Sequence, residues 1–506
     1  MRKKGWRILA VLCVMGGSRP VCAVELGAVR KAIFKVQVIS QEPDYKQPWN
    51  HQPVKSSSGT GFYIGPAGIL TNAHVVANGK FISVLKDGDD EPVSARVKFM
   101  AHDCDLALLE VQDPAYLSGV TPIAFGDIPD VRETVNTVGY PTGGEQISIT
   151  QGVVSRVSYR RYVHSGADSH LLVQVDSAIN PGNSGGPVLQ GKIAVGVAFQ
   201  AYTGAENTGY IIPTPVVRRF LTDIADGRYD GHPVQGFNVQ DNALQNSATR
   251  RYHGLKAGEG GVKVSEVASY SPLAGAVNSG DIILAIDGKP VGIDGKISYL
   301  RDRLPFRVLY DLKQRGDPLK LDILRDGKRR TVEVVLKAKE AFYDGANIFW
   351  NQPRFLSFAG LVFTSLSRDY LETWGRSWYL DAPLPLRYIH NHFSQIKDLQ
   401  GARDVIVLAE RLPHAVNTFA GPFMDAVVIR VNGKKVLSLD DLARAIDEAE
   451  GSHLVFDFWK GDVPLILPLA ASRSADQDIN SRYKIPLTRW LGPDEDGATA
   501  DWGAEK

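Results

Sequence analysis

The sequence predicts a mainly β chain, an all-β sandwich or barrel pair followed by two smaller α+β units that share a motif. Three observations carry that expectation. From Ala32 to about Phe220, short apolar runs such as Phe62-Tyr63-Ile64, Ala107-Leu108-Leu109 and Ile193-Ala194-Val195-Gly196-Val197 recur between Gly, Pro, Asn and Asp. Further on, Ile282-Ile283-Leu284-Ala285-Ile286-Asp287-Gly288-Lys289 returns as Val427-Val428-Ile429-Arg430-Val431-Asn432-Gly433-Lys434. Each copy is an apolar strand ending in a dipeptide that readily takes positive φ in a tight turn, so a repeated module is the economical reading. The 506 residues leave room for about three domains, and 44% hydrophobic with 22% charged residues is the composition of an ordinary globular protein.

In chain order, Met1-Arg2-Lys3-Lys4, an apolar run from Ile8 to Gly17 and Val21-Cys22-Ala23 read as a secretory signal cut after Ala23. The apolar run is too short to span a bilayer, which takes about 18 residues, and neither Cys13 nor Cys22 follows a lipoprotein pattern, so no stable membrane anchor is expected. Residues 24–230 form the first domain. Val216, Val217, Phe220, Leu221 and Ile224 close it with helical spacing, and Gly227 to Pro233 reads as a linker. The second unit is expected over 234–340 and the third over 341–470. In the third, Leu439, Leu442, Ile446 and Ala449 share one helical face. Residues 471–506 are polar, with an acidic, Gly/Ala-rich end from Gly492, and read as a disordered tail.

Loss of the signal removes Arg2, Lys3, Lys4, Arg7 and Arg19 and no acid, so 57 Lys+Arg falls to 52 against 56 Asp+Glu, a net charge of −4. That balance excludes a nucleic-acid binder, which carries a basic face. Export to an envelope compartment such as a periplasm follows from the signal. Of three cysteines only Cys104 lies beyond it, which excludes an intrachain disulfide and suits a small buried apolar residue. Nothing calls for a metal or a cofactor.

The chemistry is concentrated in three segments. Acyl transfer to water needs a nucleophile, a base to take its proton and donors aimed at the developing oxyanion. Ser184 stands in Asp176-Ser177-Ala178-Ile179-Asn180-Pro181-Gly182-Asn183-Ser184-Gly185-Gly186-Pro187, where small residues allow the N–H groups of Gly182 and Ser184 to converge on one oxygen. His74, in Thr71-Asn72-Ala73-His74-Val75-Val76, is the candidate base. Asp105 abuts the strand Leu106-Ala107-Leu108-Leu109 and is preferred as the orienting carboxylate over Asp103, which is expected to be a solvated turn residue. The order His, Asp, Ser is that of trypsin-fold proteases.

These segments, with Ser58-Gly59-Thr60-Gly61-Phe62 and Asp105-Leu106-Ala107-Leu108, resemble the HtrA/Deg (DegP-like) serine proteases. Gly260-Gly261-Val262-Lys263-Val264, Ser271-Pro272-Leu273-Ala274 and Ser279-Gly280-Asp281 leading into the first repeat copy are similar to that family's PDZ domain. Ala359-Gly360-Leu361-Val362-Phe363, an aromatic-rich insertion and Tyr483-Lys484-Ile485-Pro486 look like the divergent second PDZ of plant-type Deg proteases. The resemblance implies a trypsin-like double β-barrel protease domain followed by two PDZ-like domains, and an ATP-independent serine endopeptidase acting on unfolded or damaged exported proteins. It also implies a homotrimer or a multiple of trimers. An alternative is a chaperone or peptide-binding scaffold with a mostly closed protease domain.

By the same resemblance, Ala178 occupies the base of the specificity pocket, with Val197 and Ala198 on its wall, giving a small apolar pocket for Val, Ala, Ile or Leu. Gly261, Val262 and Val264 are expected to receive the carboxylate of a C-terminal peptide, whereas Gly360, Leu361 and Phe363 of the second copy are expected to serve packing. Tyr140 to Gln146, Tyr159 to Leu171 and Phe199 to Gly209 correspond to regulatory loops.

Overall fold

The computed structural model describes residues 26–142, 144, 146–201, 208–240, 242–337, 347, 352–375 and 377–492. The expected signal, residues 202–207 of one expected loop, and 493–506 of the expected tail lie outside them.

Two closed six-stranded barrels make up the first domain. The first orders its strands β1-β2-β3-β6-β5-β4, from β1 (Ile33–Ser40), β2 (Lys55–Tyr63), β3 (Ile69–Thr71), β4 (Gly79–Lys86), β5 (Val93–Ala101) and β6 (Leu106–Val111). The second orders β10-β11-β12-β9-β8-β7, from β7 (Thr134–Gly139), β8 (Ser148–Arg161), β9 (Ser169–Val175), β10 (Pro187–Gln190), β11 (Ile193–Ala201) and β12 (Gly209–Pro213). Closure removes free sheet edges. The apolar runs read from the sequence become the barrel interiors: β3 is buried throughout and β6 at five of its six positions. The helix Thr214–Asp223 closes the domain, burying Val216, Val217 and Phe220.

The second unit is a sheet ordered Phe237–Gln240, Val262–Val267, Ile282–Ile286, Pro318–Arg325, Lys328–Val335. In the third, Ile406–Arg411, Leu361–Ser365, Phe355–Phe358 and Arg489–Trp490 form one sheet, and Lys434–Lys435, Val428–Val431, His453–Phe458 and Leu465–Pro468 another. The repeat is visible in the backbone: Asp287 and Gly288 have φ of 46° and 74°, Asn432 and Gly433 47° and 76°. The helix Leu439–Asp447 buries Leu439, Leu442 and Ile446, as its spacing predicts.

Two expectations require correction. The tail does not begin at 471. Leu469–Arg482 is a helix burying Ser472, Ala475 and Ile479, and Arg489–Trp490 pairs with Leu356 and Phe355. Its buried face has Leu469 at the first position and then only Ser472, Ala475 and Ile479, too little apolar contrast to stand out in a polar stretch. Nor is Gly227 to Pro233 a free linker, because Tyr229 is packed against Phe220 and its hydroxyl donates to Asp103 at 2.5 Å.

Both later units dock on the first domain. One apolar cluster runs from Phe62, Tyr162 and Phe220 into Phe306, Tyr310 and Leu321 of the second unit. The β1–β2 loop sends Trp49 into the third unit, where it packs with Phe355, Ile479 and Ile485. Arg368 of that unit donates to the Ser165 carbonyl in the β8–β9 loop, 3.2 Å away.

Candidate active site

β3 and β6 pair antiparallel with Thr71 opposite Ala107, so the chain leaves β3 and enters β6 at the same end. Three residues beyond Thr71 comes His74, in the short helix Ala73–Val76, and two before Ala107 comes Asp105. The register alone brings the two together. Asp105 accepts twice from His74, at Oδ2 from the ring Nδ1 (2.6 Å) and at Oδ1 from the backbone N–H (2.7 Å). It has no accessible surface and a left-handed φ of 53°, a conformation that Asp tolerates better than most residues with a side chain. Asn72 contributes by donating from Nδ2 to the Asp105 carbonyl at 2.9 Å. Burial pulls the His74 pKa down, but the charge of Asp105 and its hydrogen bond outweigh this and leave it raised. Burial pushes Asp105 up, and the charges of His74 and His164, with the His74 hydrogen bonds, hold it below its ordinary value.

Ser184 lies on the loop entering β10 of the second barrel, tied across to the first. Thr60 accounts for most of that tie: its N–H donates to the Ser184 carbonyl (2.9 Å) and its hydroxyl to the Gly182 carbonyl (2.7 Å). The hydroxyl also accepts from the Tyr140 N–H (2.9 Å), and the Thr60 carbonyl accepts from Thr71 Oγ1 (2.7 Å). Thr60 is fully buried, and sequence motifs mark it without revealing this role. Gly182 has φ of 97°, and a Cβ there would sit 2.3 Å from the Tyr140 carbonyl; at Gly185, φ 84°, it would sit 2.1 Å from that of Thr60. Both positions require glycine. The Asn183 and Gly185 N–H groups are spent on the Asn180 and Ala198 carbonyls. Ser184 Oγ donates to the Phe199 carbonyl at 3.2 Å, and the Phe199 ring centroid lies 6.4 Å from that of His74.

Around the pair, His164 Nε2 lies 3.9 Å from Asp105 Oδ1 and 2.9 Å from His102 Nδ1. Burial lowers the pKa of both, to about 4 for His164 and about 3 for His102, in the opposite direction from His74. Asp103 is not a solvated turn residue. Its carboxylate accepts from Tyr229 Oη and from the Cys104 and His232 N–H groups, and its carbonyl from His170 Nε2 (2.9 Å). Cys104 is buried, and burial pushes its thiol well above the ordinary range, so it is inert.

The expected pocket and peptide residues are placed unevenly. Ala178 is half-buried, whereas Val197 and Ala198 have no accessible surface, so neither side chain faces open space. Gly261, Val262 and Val264 cannot receive a peptide by strand addition. Their strand lies between Phe237–Gln240 and Ile282–Ile286, and the N–H groups of Gly261 and Val264 already donate to the Gly292 and Asp281 carbonyls. The sheet ends at Phe237–Gln240 on one side and Lys328–Val335 on the other, and the first of these lies beside a cleft of about 720 Å³ lined by Tyr159, Asn238, Glu266 and Arg307. In the third unit Leu361 and Phe363 are fully buried, in keeping with a packing role.

Comparison with known proteins matches residues 59–197 to a trypsin-like peptidase domain, and residues 236–336 and 312–490 each to a PDZ domain. Protease Do-like 2, chloroplastic, of Arabidopsis thaliana is 35% identical over 485 residues, 93% of this chain and 78% of that protein. The chain belongs to the Do-like (HtrA/Deg) serine proteases. Another relative, Protease Do-like 4, mitochondrial, of the same plant, is 34% identical over 90% of this chain and 84% of its own length. Among solved structures, the HtrA-type protease AlgW with decapeptide is similar at 21% identity and a TM-score of 0.47, covering 63% of this chain and 98% of that one. This Do-like protease is therefore a serine endopeptidase with a trypsin-like double barrel and two PDZ domains, and the plant-type resemblance of its third unit agrees with its relatives. Among the described residues, no helix is long and apolar enough to cross a membrane.

Proposed function

We propose that Ser184 is the nucleophile, His74 its general base and Asp105 the carboxylate that orients the base, with the N–H groups of Gly182 and Ser184 as the oxyanion hole. The observation that carries this reading is the double hold of the buried Asp105 on His74, through ring and backbone alike. A proton on Nδ1 directed at Asp105 leaves Nε2 as the basic nitrogen that takes the serine proton. The Ser184 hydroxyl, directed at the Phe199 carbonyl, must turn toward His74 before it can attack, so the base is assembled ahead of the nucleophile. That gated arrangement suits an enzyme that meets folded proteins and cleaves unfolded or damaged ones without ATP.

Substrates are unfolded exported polypeptides with a small or medium aliphatic residue at the cleaved bond, admitted next to Ala178. C-terminal peptides add to the first PDZ domain at Phe237–Gln240, and the working form is a homotrimer or a multiple of trimers. Ser184→Ala is expected to lower turnover of unfolded casein by about 10⁶-fold, to the background left by binding alone. Turnover within tenfold of the wild-type rate would exclude Ser184 as nucleophile. Chromogenic peptides should be cleaved faster after Val than after Arg, and the reverse order would remove the aliphatic pocket.

A further inference from the structure

His170, at the start of β9, meets two groups that can only accept. Its Nδ1 faces the Asp311 carboxylate, 2.9 Å from Oδ1 and 3.2 Å from Oδ2, and its Nε2 faces the Asp103 carbonyl at 2.9 Å. Both ring nitrogens face acceptors, so the arrangement is satisfied when both donate and favours the imidazolium form of His170. Asp311 ends the helix Arg307–Asp311 of the first PDZ domain, and the two side chains are only 2% and 4% exposed. A buried ion pair adds little net stability over an apolar pair of the same size, whereas it fixes how two surfaces register. Here the surfaces are the protease and its first PDZ domain. Arg219 and Gln314 reinforce the same seam, with Arg219 Nε donating to the Lys313 carbonyl (3.3 Å) and Gln314 Nε2 to that of Arg219 (2.9 Å).

The other end of the imidazolium reaches the main-chain carbonyl of Asp103, two residues before the proposed triad carboxylate. Asp103 is held at its carbonyl by His170 and at its carboxylate by Tyr229, His232 and Cys104, and Asp105 follows two residues later with its left-handed backbone. We propose that His170 and Asp311 are positioning residues: the docked first PDZ domain, through the Asp311–His170 pair, fixes the Asp103–Asp105 turn and so the aim of Asp105 at His74. His170, His232 and Asp311 also present ligand atoms within 4.8 Å of one another, the spacing of a divalent-cation site. The hydrogen-bond reading is favoured because His232 Nδ1 lies 3.0 Å from the Asp311 carbonyl, a contact that takes a proton on that nitrogen rather than a lone pair.

The proposal rests on the triad reading, and its test separates the two. Full-length wild type, Asp311→Asn, His170→Gln and the double variant are assayed on a short amide-capped chromogenic peptide, which has no free carboxylate to engage a PDZ domain. In each single variant kcat is expected to fall by about ten- to a hundredfold with KM unchanged. The acid limb of kcat/KM should move down toward the ordinary histidine value, and the double variant should lose no more than either single one. Wild-type kcat and an unmoved acid limb in folded Asp311→Asn would overturn the proposal. If that variant does not fold, the same two measurements on His170→Gln decide. Loss of wild-type activity on chelation, restored by zinc ion alone, would overturn it in favour of a metal centre. If Ser184→Ala is inactive while these variants behave as wild type, only the positioning role fails; if Ser184→Ala stays active, the triad itself does.

Discussion

Asp105 divides its two oxygens between the ring and the backbone of His74, and that division determines what its replacement does. In Asp105→Asn one of the two accepting oxygens becomes an NH2 donor, so the imidazole is free to take the wrong tautomer. A loss of about 10⁴-fold in kcat is expected with little change in KM, measured on a chromogenic peptide. As the proposed base, His74 would work only when neutral. Because its pKa is raised above 6.5, the rate should climb with pH through a limb above that value in the wild type. In Asp105→Asn the limb should lie lower. The three residues proposed for this site were legible as candidates in the sequence because each sits in a short motif with its own local reason. Thr60 and Asn72 were not, since each acts through a main-chain group far along the chain, Thr60 on Gly182 and Asn72 on Asp105.

At the scale of elements, periodicity located the helix Thr214–Asp223 and the two turns of the repeat, because apolar spacing and Asp-Gly or Asn-Gly are local signals. It missed the helix Leu469–Arg482, which docks by Ser472, Ala475 and Ile479. The resemblance placed the peptide carboxylate at Gly261, Val262 and Val264, whose strand lies inside the sheet, because which strand lies at the edge is a property of topology that no single strand displays. Truncation tests the first of these. Removing 471–506 takes away the strand Arg489–Trp490 and Ile479, and should lower the melting temperature of the third unit or unfold it, as followed by calorimetry. An unchanged transition would mean that the helix adds nothing to that fold.

The whole molecule is a protease with both PDZ domains seated on it, one through a buried charge and one through a borrowed side chain. Burial pulls His170 down, yet the Asp311 charge and hydrogen bond, aided by Asp168 and Asp103, push its pKa up to about 9, while neighbouring His232 and the edge of Tyr162 complete its surroundings. A group raised in the folded state stabilises that state fully below its ordinary value and loses this contribution as pH rises through the folded value. Between pH 7 and 10 the docked form should therefore lose up to roughly 3 kcal/mol. Thermal melts of wild type and His170→Gln across that range check it: the wild type should fall toward the variant, and parallel curves would exclude the contribution. Trp49 carries a different consequence, one of timing. The β1–β2 loop leaves the ribosome long before the residues that shelter its indole, since Phe355 follows Trp49 by about 300 residues and Ile479 and Ile485 by about 430. At about 5–20 residues per second, a newborn chain spends on the order of tens of seconds with its barrels formed and that tryptophan exposed. During this interval the enzyme is itself a partly unfolded protein.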